Sequence, residues 1–145
     1  MNRIDFVTTQ HPSSLRRAIF EDDGETAWLY LTAPRSHRPE RDCWPYNRHP
    51  ARPTEELASY RDGPPPVSAE FAGAGAYRTM QETPHIRFSW SRDGESVACV
   101  LDGEVVGFIA AGYLRAAGFS RHLSKAGPWG QSWDEALYRR VFHGS

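Results

Sequence analysis

Apolar and polar residues alternate most clearly between residues 84 and 109. His85-Ile86-Arg87-Phe88-Ser89-Trp90 sets Ile86, Phe88 and Trp90 on one face of a strand. The tripeptide Asp93-Gly94-Glu95 then introduces the apolar run Ser96–Leu101, and Asp102-Gly103-Glu104 introduces Val105–Ile109. Asp-Gly between apolar runs signals a hairpin, because a type I′ turn needs positive φ at both central residues. Three adjacent antiparallel strands follow. A third copy, Asp23-Gly24-Glu25, separates residues 15–20 from 26–33 and predicts another hairpin. Its second strand, Thr26-Ala27-Trp28-Leu29-Tyr30-Leu31, is almost continuously apolar at its centre, the pattern of a strand covered on both faces.

Helical spacing is confined to the end of the chain. Ser132-Trp133-Asp134-Glu135 matches a capping box, with Ser132 as N-cap and Glu135 three residues on. Trp133, Ala136, Leu137 and Val141 then share a face, and Arg139 and Arg140 complement the dipole of the last turn. Residues 110–118 predict a short helix closed by Gly118.

Between the two hairpin regions the pattern breaks. Pro34–Pro66 holds 8 of the 11 prolines and six arginines. Proline removes backbone donors and disfavours helix at the residue before it. The segment is therefore expected to be irregular, with a turn or two of helix over 54–60 and a polyproline stretch at 64–66. Trp44, Tyr46 and Tyr60 anchor it over the sheet, and Ala72-Gly73-Ala74-Gly75-Ala76 is expected to be a flexible loop. The expected fold is α+β: an antiparallel β-meander of about five strands, packed by a C-terminal helix and the irregular Pro/Arg-rich segment. It forms a single domain over 1–145, with the insertion at about 34–80.

Composition narrows the function. With 39% hydrophobic and 24% charged residues, the chain has the make-up of a globular protein. The net charge of −1 provides no long-range field toward nucleic acid or an anionic membrane. Lys125 is the sole lysine among 17 basic residues. Arginines mixed with Trp44 and Tyr46 resemble a single-strand groove. Glu40, Asp42, Glu55, Glu56 and Asp62 dilute that charge, and local pairing is the better account. No apolar run approaches a membrane span, and the N-terminus has no signal-peptide pattern. The expected compartment is the cytoplasm, with Cys43 and Cys99 reduced.

The acidic turn is the main functional lead. Glu21, Asp22, Asp23 and Glu25 place four carboxylates in five residues, where they repel one another unless solvated, ion-bound or opposed by a basic partner. Three accounts stay open: a solvated tip that blunts a sheet edge, a surface for basic side chains of another protein, and a divalent-ion site. The EF-hand spacing is missing. His85 and His122 are the candidate acid–base residues of an enzyme, but no nucleophile motif accompanies them. Trp28 and Trp129 are candidate partner-binding aromatics.

Phe20–Thr26 with the aromatic strand after it, Trp90-Ser91-Arg92-Asp93-Gly94, and Trp133-Asp134 together resemble a family of small uncharacterised bacterial proteins. The resemblance covers the two ends of the chain and implies a compact bacterial cytosolic protein, without an activity. The expected function is non-catalytic protein binding, of the immunity type that neutralises a bacterial toxin. It uses Glu21, Asp22, Asp23, Glu25, Trp28 and Trp129 against a basic partner, with no cofactor, metal, nucleic acid or membrane. A small-ligand or metal-binding module is the alternative, as is an enzyme using His85 or His122 with a carboxylate.

Overall fold

The computed structural model describes residues 5–53, 66–112 and 118–143. They form two sheets and one helix. The first sheet has the order β1-β2-β3-β4 and is antiparallel throughout: β1 Asp5–Gln10, β2 Arg17–Asp22, β3 Thr26–Thr32 and β4 Pro39–Asn47. The second contains β5 Ile86–Trp90, β6 Val97–Leu101, β7 Glu104–Ile109, β8 Phe119–Ser120 and β9 Gln131–Ser132. Its first four strands are antiparallel, and β9 joins β8 in parallel. The helix α1 spans Glu135–Phe142.

The antiparallel sheets and C-terminal helix match the expected class, but nine strands in two sheets replace one meander of about five. The sheets face each other. Ala18, Phe20, Leu29, Leu31, Cys43 and Tyr46 of the first meet Val97, Cys99, Leu101, Val106 and Ile109 of the second in one buried core. At one side the sheets are tied together, because the Gly118 amide donates to the Asp42 carbonyl at 2.6 Å. Arg16 staples the sheets through ion pairs of 2.7 Å to both Glu40 and Glu95.

The largest departure from expectation is β4, a nine-residue strand inside the segment expected to be irregular. Its prolines sit where a missing donor does least harm. Pro39 starts the strand, and Pro45 lies at a register shift opposite Trp28. The aromatic residues decide the outcome: Trp44 and Tyr46 are both fully buried.

The loop around Ala72–Ala76 is also fastened rather than flexible. Ala76 accepts from the Asn47 amide at 2.7 Å, and Gly73 donates to the His122 carbonyl at 2.7 Å. Asn47 is the central stitch. Its Oδ1 accepts from Trp44 Nε1 and the Val67 amide, both at 3.1 Å, and its Nδ2 donates to the Val67 carbonyl at 2.9 Å. Trp28, Trp44, Val67, Ala76, Leu123 and Trp129 form a second core on the outer face of the first sheet. That layer explains why β3 is buried on both faces, as its sequence predicts.

The helix begins later than the capping box suggests. Ser132 belongs to β9, and the N-cap is Asp134, whose Oδ1 accepts from the Leu137 amide at 3.0 Å. Leu137 is buried, with Trp133 and Val141 packed beside it against Phe108 and Phe119, whereas Ala136 is exposed. Of the expected helix over 110–118, residues 110–112 are not helical and 113–117 lie outside the described residues. The expected helical turns at 54–60 and the polyproline residues 64 and 65 lie outside them too.

Candidate functional site

The three Asp-Gly turns are built in two ways. Only Asp102-Gly103 has positive φ at both residues, 52° and 83°, the type I′ signature. In the other two, glycine alone is left-handed, with Gly24 at 89° and Gly94 at 73°. There the aspartate organises the turn with its side chain: Asp23 Oδ1 accepts from the amides of Glu25 and Thr26 at 2.9 and 3.0 Å. Asp93 Oδ1 does the same for the Glu95 amide and for Ser91 Oγ. Those bonds favour the charged form, and Asp93 is held below the ordinary carboxylate range.

The acidic turn therefore has an internal half and an external half. Strand alternation turns Asp22 inward, where it is fully buried. Its Oδ2 accepts from Tyr46 Oη at 2.7 Å and Arg48 Nε at 2.8 Å, and its Oδ1 accepts from the Gly24 amide. Arg48 Nη1 donates to the carbonyls of both Thr79 and Glu82, at 2.6 and 2.7 Å. The guanidiniums of Arg48 and Arg78 both lie near the Tyr46 ring, 5.1 and 5.5 Å from its centroid. Glu21, Asp23 and Glu25 are partly exposed around this anchor. Glu25 lies 3.0 Å from His49 Nε2 and keeps 44% of its side-chain exposure.

The outer face of the first sheet continues from Glu21. Register places Glu21 beside Trp28, and Tyr30 beside Asp42. Trp28 and Tyr30, two residues apart on that face, stack with centroids 6.5 Å apart and planes 16° from parallel. Burial, then the charges of Glu21, Asp42 and Asp23, raise the Tyr30 phenol far above its usual range. Burial also pushes the Asp42 carboxyl up to about 6. Among the described residues the buried Trp28 indole N–H has no hydrogen-bond partner. Phe6 on β1 stands beside Glu21 and is 46% exposed.

The expected binding residues thus fall into distinct places. Glu21, Asp23 and Glu25 surround one turn, and Asp22 sits beneath it. Trp28 and Trp129 both belong to the second core, with only 7% and 9% of their surfaces exposed. Trp129 packs on Phe71 at 5.3 Å. Tyr30, Asp42 and Arg48 were not singled out by the sequence. Their roles depend on β4 pairing with β3, and the proline content of residues 34–66 hides that strand.

The two histidines are separately placed. His85 is exposed on the approach to β5, where its amide donates to Asp102 Oδ1. His122 is buried, its Nδ1 donating to the Pro45 carbonyl at 2.6 Å, and burial lowers its pKa. A Cβ on Gly75 would come within 2.8 Å of its Nε2, so the ring is enclosed by backbone on that edge. Both cysteines are buried and reduced, and burial raises their thiols. Among the described residues no group of three or more His, Cys, Asp or Glu side chains is placed to hold a metal ion. Among them, too, no helix is long and apolar enough to cross a membrane.

Comparisons with protein-family models, with curated proteins and with solved structures return no match.

Proposed function

We propose that this is a non-catalytic protein-binding protein that receives a basic surface of its partner on the acidic end of the β2–β3 hairpin. The observation that carries this reading is the anchoring of the turn. Asp22 is fixed from inside by Tyr46 and Arg48, and Asp23 organises the turn backbone, so Glu21, Asp23 and Glu25 gather around a rigid tip. A rigid array of like charges steers an oppositely charged partner and loses little freedom on docking. A merely solvated tip has no need of a buried ion pair beneath it. Trp28 and Trp129 support the surface from below rather than meeting the partner. Small bacterial immunity-type proteins, which mask the basic surface of a toxin, are the functional class this reading favours.

The test is affinity capture from the native host, run with the natural protein and with a Glu21→Arg/Glu25→Arg variant as baits. The expected result is a stoichiometric partner, held by the natural protein and released by the variant. With the purified partner, the variant associates about tenfold more slowly at low ionic strength, and the gap narrows as salt rises. Toxicity of the partner when expressed alone identifies the immunity class. An association rate unchanged by the reversal overturns the reading.

A further inference from the structure

We propose that β1 is a docking edge for a second copy of this chain. The two β1 strands pair antiparallel about a two-fold axis at Thr8 and join two four-stranded sheets into one. The inference is independent of the acidic tip. The first sheet has two ends, and they are finished differently. At β4 the Gly118 amide donates to the Asp42 carbonyl, and the strand carries two prolines and two register shifts. At β1 no further strand follows among the described residues. β1 keeps an unbroken register with β2, and from Phe6 to Gln10 it holds no proline and no charged residue. Phe6, Thr8, Thr9 and Gln10 are exposed. Edges that stay single are shielded by proline, lysine, bulges or a covering segment, and among the described residues β1 has none of these.

Backbone directions set the register. The His11 amide donates to the Arg16 carbonyl at 2.9 Å, so the pair next to Gln10–Arg17 is hydrogen-bonded. Alternation then turns the peptide groups of Val7 and Thr9 toward β2, and those of Phe6, Thr8 and Gln10 toward the open edge. A two-fold through Thr8 sets that residue against its own copy, and Phe6 of each copy against Gln10 of the other. The inner face of one sheet continues as the inner face of its twin. Charge is complementary in this register. Arg17 pairs with Gln10 and extends over β1 to Thr8 Oγ1 at 3.3 Å, while Glu21 pairs with Phe6. The two-fold therefore aligns Arg17 of one copy with Glu21 of the other. Between them stands the Phe6 ring, 46% exposed, whose face attracts a guanidinium. The contact also covers a seam. Val7 on β1 and Ile86, Phe88 and Trp90 on β5 pack against the core but are only partly buried, and His11 meets Trp90 at 5.2 Å, so both edge strands lie on one side of the molecule. β5 carries the exposed Arg87, a charge that guards it against pairing.

Sedimentation equilibrium of the full chain over a concentration series tests the pairing, and amide exchange locates it. The natural protein is expected to approach twice the 16.4 kDa of one chain as concentration rises. The Phe6, Thr8 and Gln10 amides should exchange at least about tenfold more slowly in the dimer than at dilutions where the monomer prevails. Thr8→Lys sets two like charges against each other on the axis and should weaken association about tenfold or more. Thr8→Pro removes an amide that faces outward, so it blocks the joint and leaves the β1–β2 hydrogen bonds in place. Thr8→Ser should dimerise like the natural protein. Amide spectra unchanged outside β1 and β2 show that a variant folds. Should Thr8→Pro fail to fold, Thr8→Lys at the same exposed position decides. A monomer at every concentration up to about 1 mM, a dimer that Thr8→Lys leaves intact, or protection confined to β5 or α1 overturns the proposal.

Discussion

Asp22 and Arg48 show how a residue chosen for its charge can belong to the interior. Their side chains are 0% and 2% exposed, and beside the 2.8 Å contact between them Tyr46 Oη donates to Asp22 while Arg48 donates to the carbonyls of Thr79 and Glu82. Removing one partner of such a pair strands the other charge, at about 3–5 kcal/mol. Arg48→Met is expected to lose stability on that scale in urea unfolding, whereas an Asp22→Leu/Arg48→Met double variant should recover much of it. Equal losses in the two would mean that packing, not charge, sets the cost. Asp42 presents the opposite case, a carboxylate desolvated by burial and, among the described residues, without a compensating partner. Its value of about 6 lies above the ordinary 3.8, so the folded state holds the proton more tightly than the unfolded state. Stability attributable to Asp42 therefore rises as the pH falls from about 6 toward 4, and its charge weakens the fold above that window. Asp42→Asn should be more stable than the natural protein at pH 7.5, by about 1 kcal/mol once solvent screening of a partly exposed group is allowed for. The gap should close near pH 4. Thermal melts across this range check it, and a variant less stable at pH 7.5 contradicts it.

At the scale of elements, α1 offers a clean discrimination between two caps. Asp134 Oδ1 bonds the Leu137 amide, while Ser132 lies in β9. Asp134→Ala is expected to cost about 1 kcal/mol, and Ser132→Ala to leave the helix unchanged. Circular dichroism melts of the two variants decide between the caps. The capping-box spacing pointed to Ser132; tertiary pairing of Ser132 with Ser120 draws that residue into β9, and Asp134 caps the helix instead. The same holds more widely. The hairpin through Asp102-Gly103 was legible because its geometry is local, written in two positive φ angles. The first hairpin was legible for a different local reason: Gly24 alone is left-handed there, and the Asp23 side chain organises the turn. β4 was not, because its nine residues contain two prolines, and its stability comes from burial of Trp44 and Tyr46 against distant segments. β1, β8 and β9 were equally invisible, since strands of two to six polar or mixed residues gain their identity only from a neighbour. The acidic turn was visible as composition. Its division into a buried anchor and an exposed rim depended on Arg48, which the sequence offered only as one arginine among many.

The whole molecule is organised by a small number of stitches between its two sheets and the layer that covers the first of them. Asn47 holds more of that layer than any propensity would suggest. It accepts from Trp44 Nε1 and the Val67 amide, donates to the Val67 carbonyl, and through its backbone pairs with Ala76 and Arg78. Its side chain is fully buried, so Asn47→Ala takes that partner from both Val67 backbone groups in an apolar setting, while the Trp44 N–H keeps Thr26 Oγ1 at 3.2 Å. Each stranded group costs about 1–3 kcal/mol, so this single truncation threatens the layer as a unit. The core between the sheets does not use Asn47: its residues on β2, β3, β6 and β7 pack on one another across the interface. Loss should therefore be uneven. Hydrogen exchange of Asn47→Ala is expected to show the Val67 and Gly73 amides exchanging much faster, with β5–β7 amides accelerated only as far as the loss of global stability requires. Trp28 and Trp129 lie under the same layer, so their emission should shift toward that of solvated indole. Uniform acceleration across both sheets would instead make the molecule one cooperative unit, in which the layer cannot loosen without the core. The uneven outcome would place the acidic tip on a rigid sheet whose covering layer is separable.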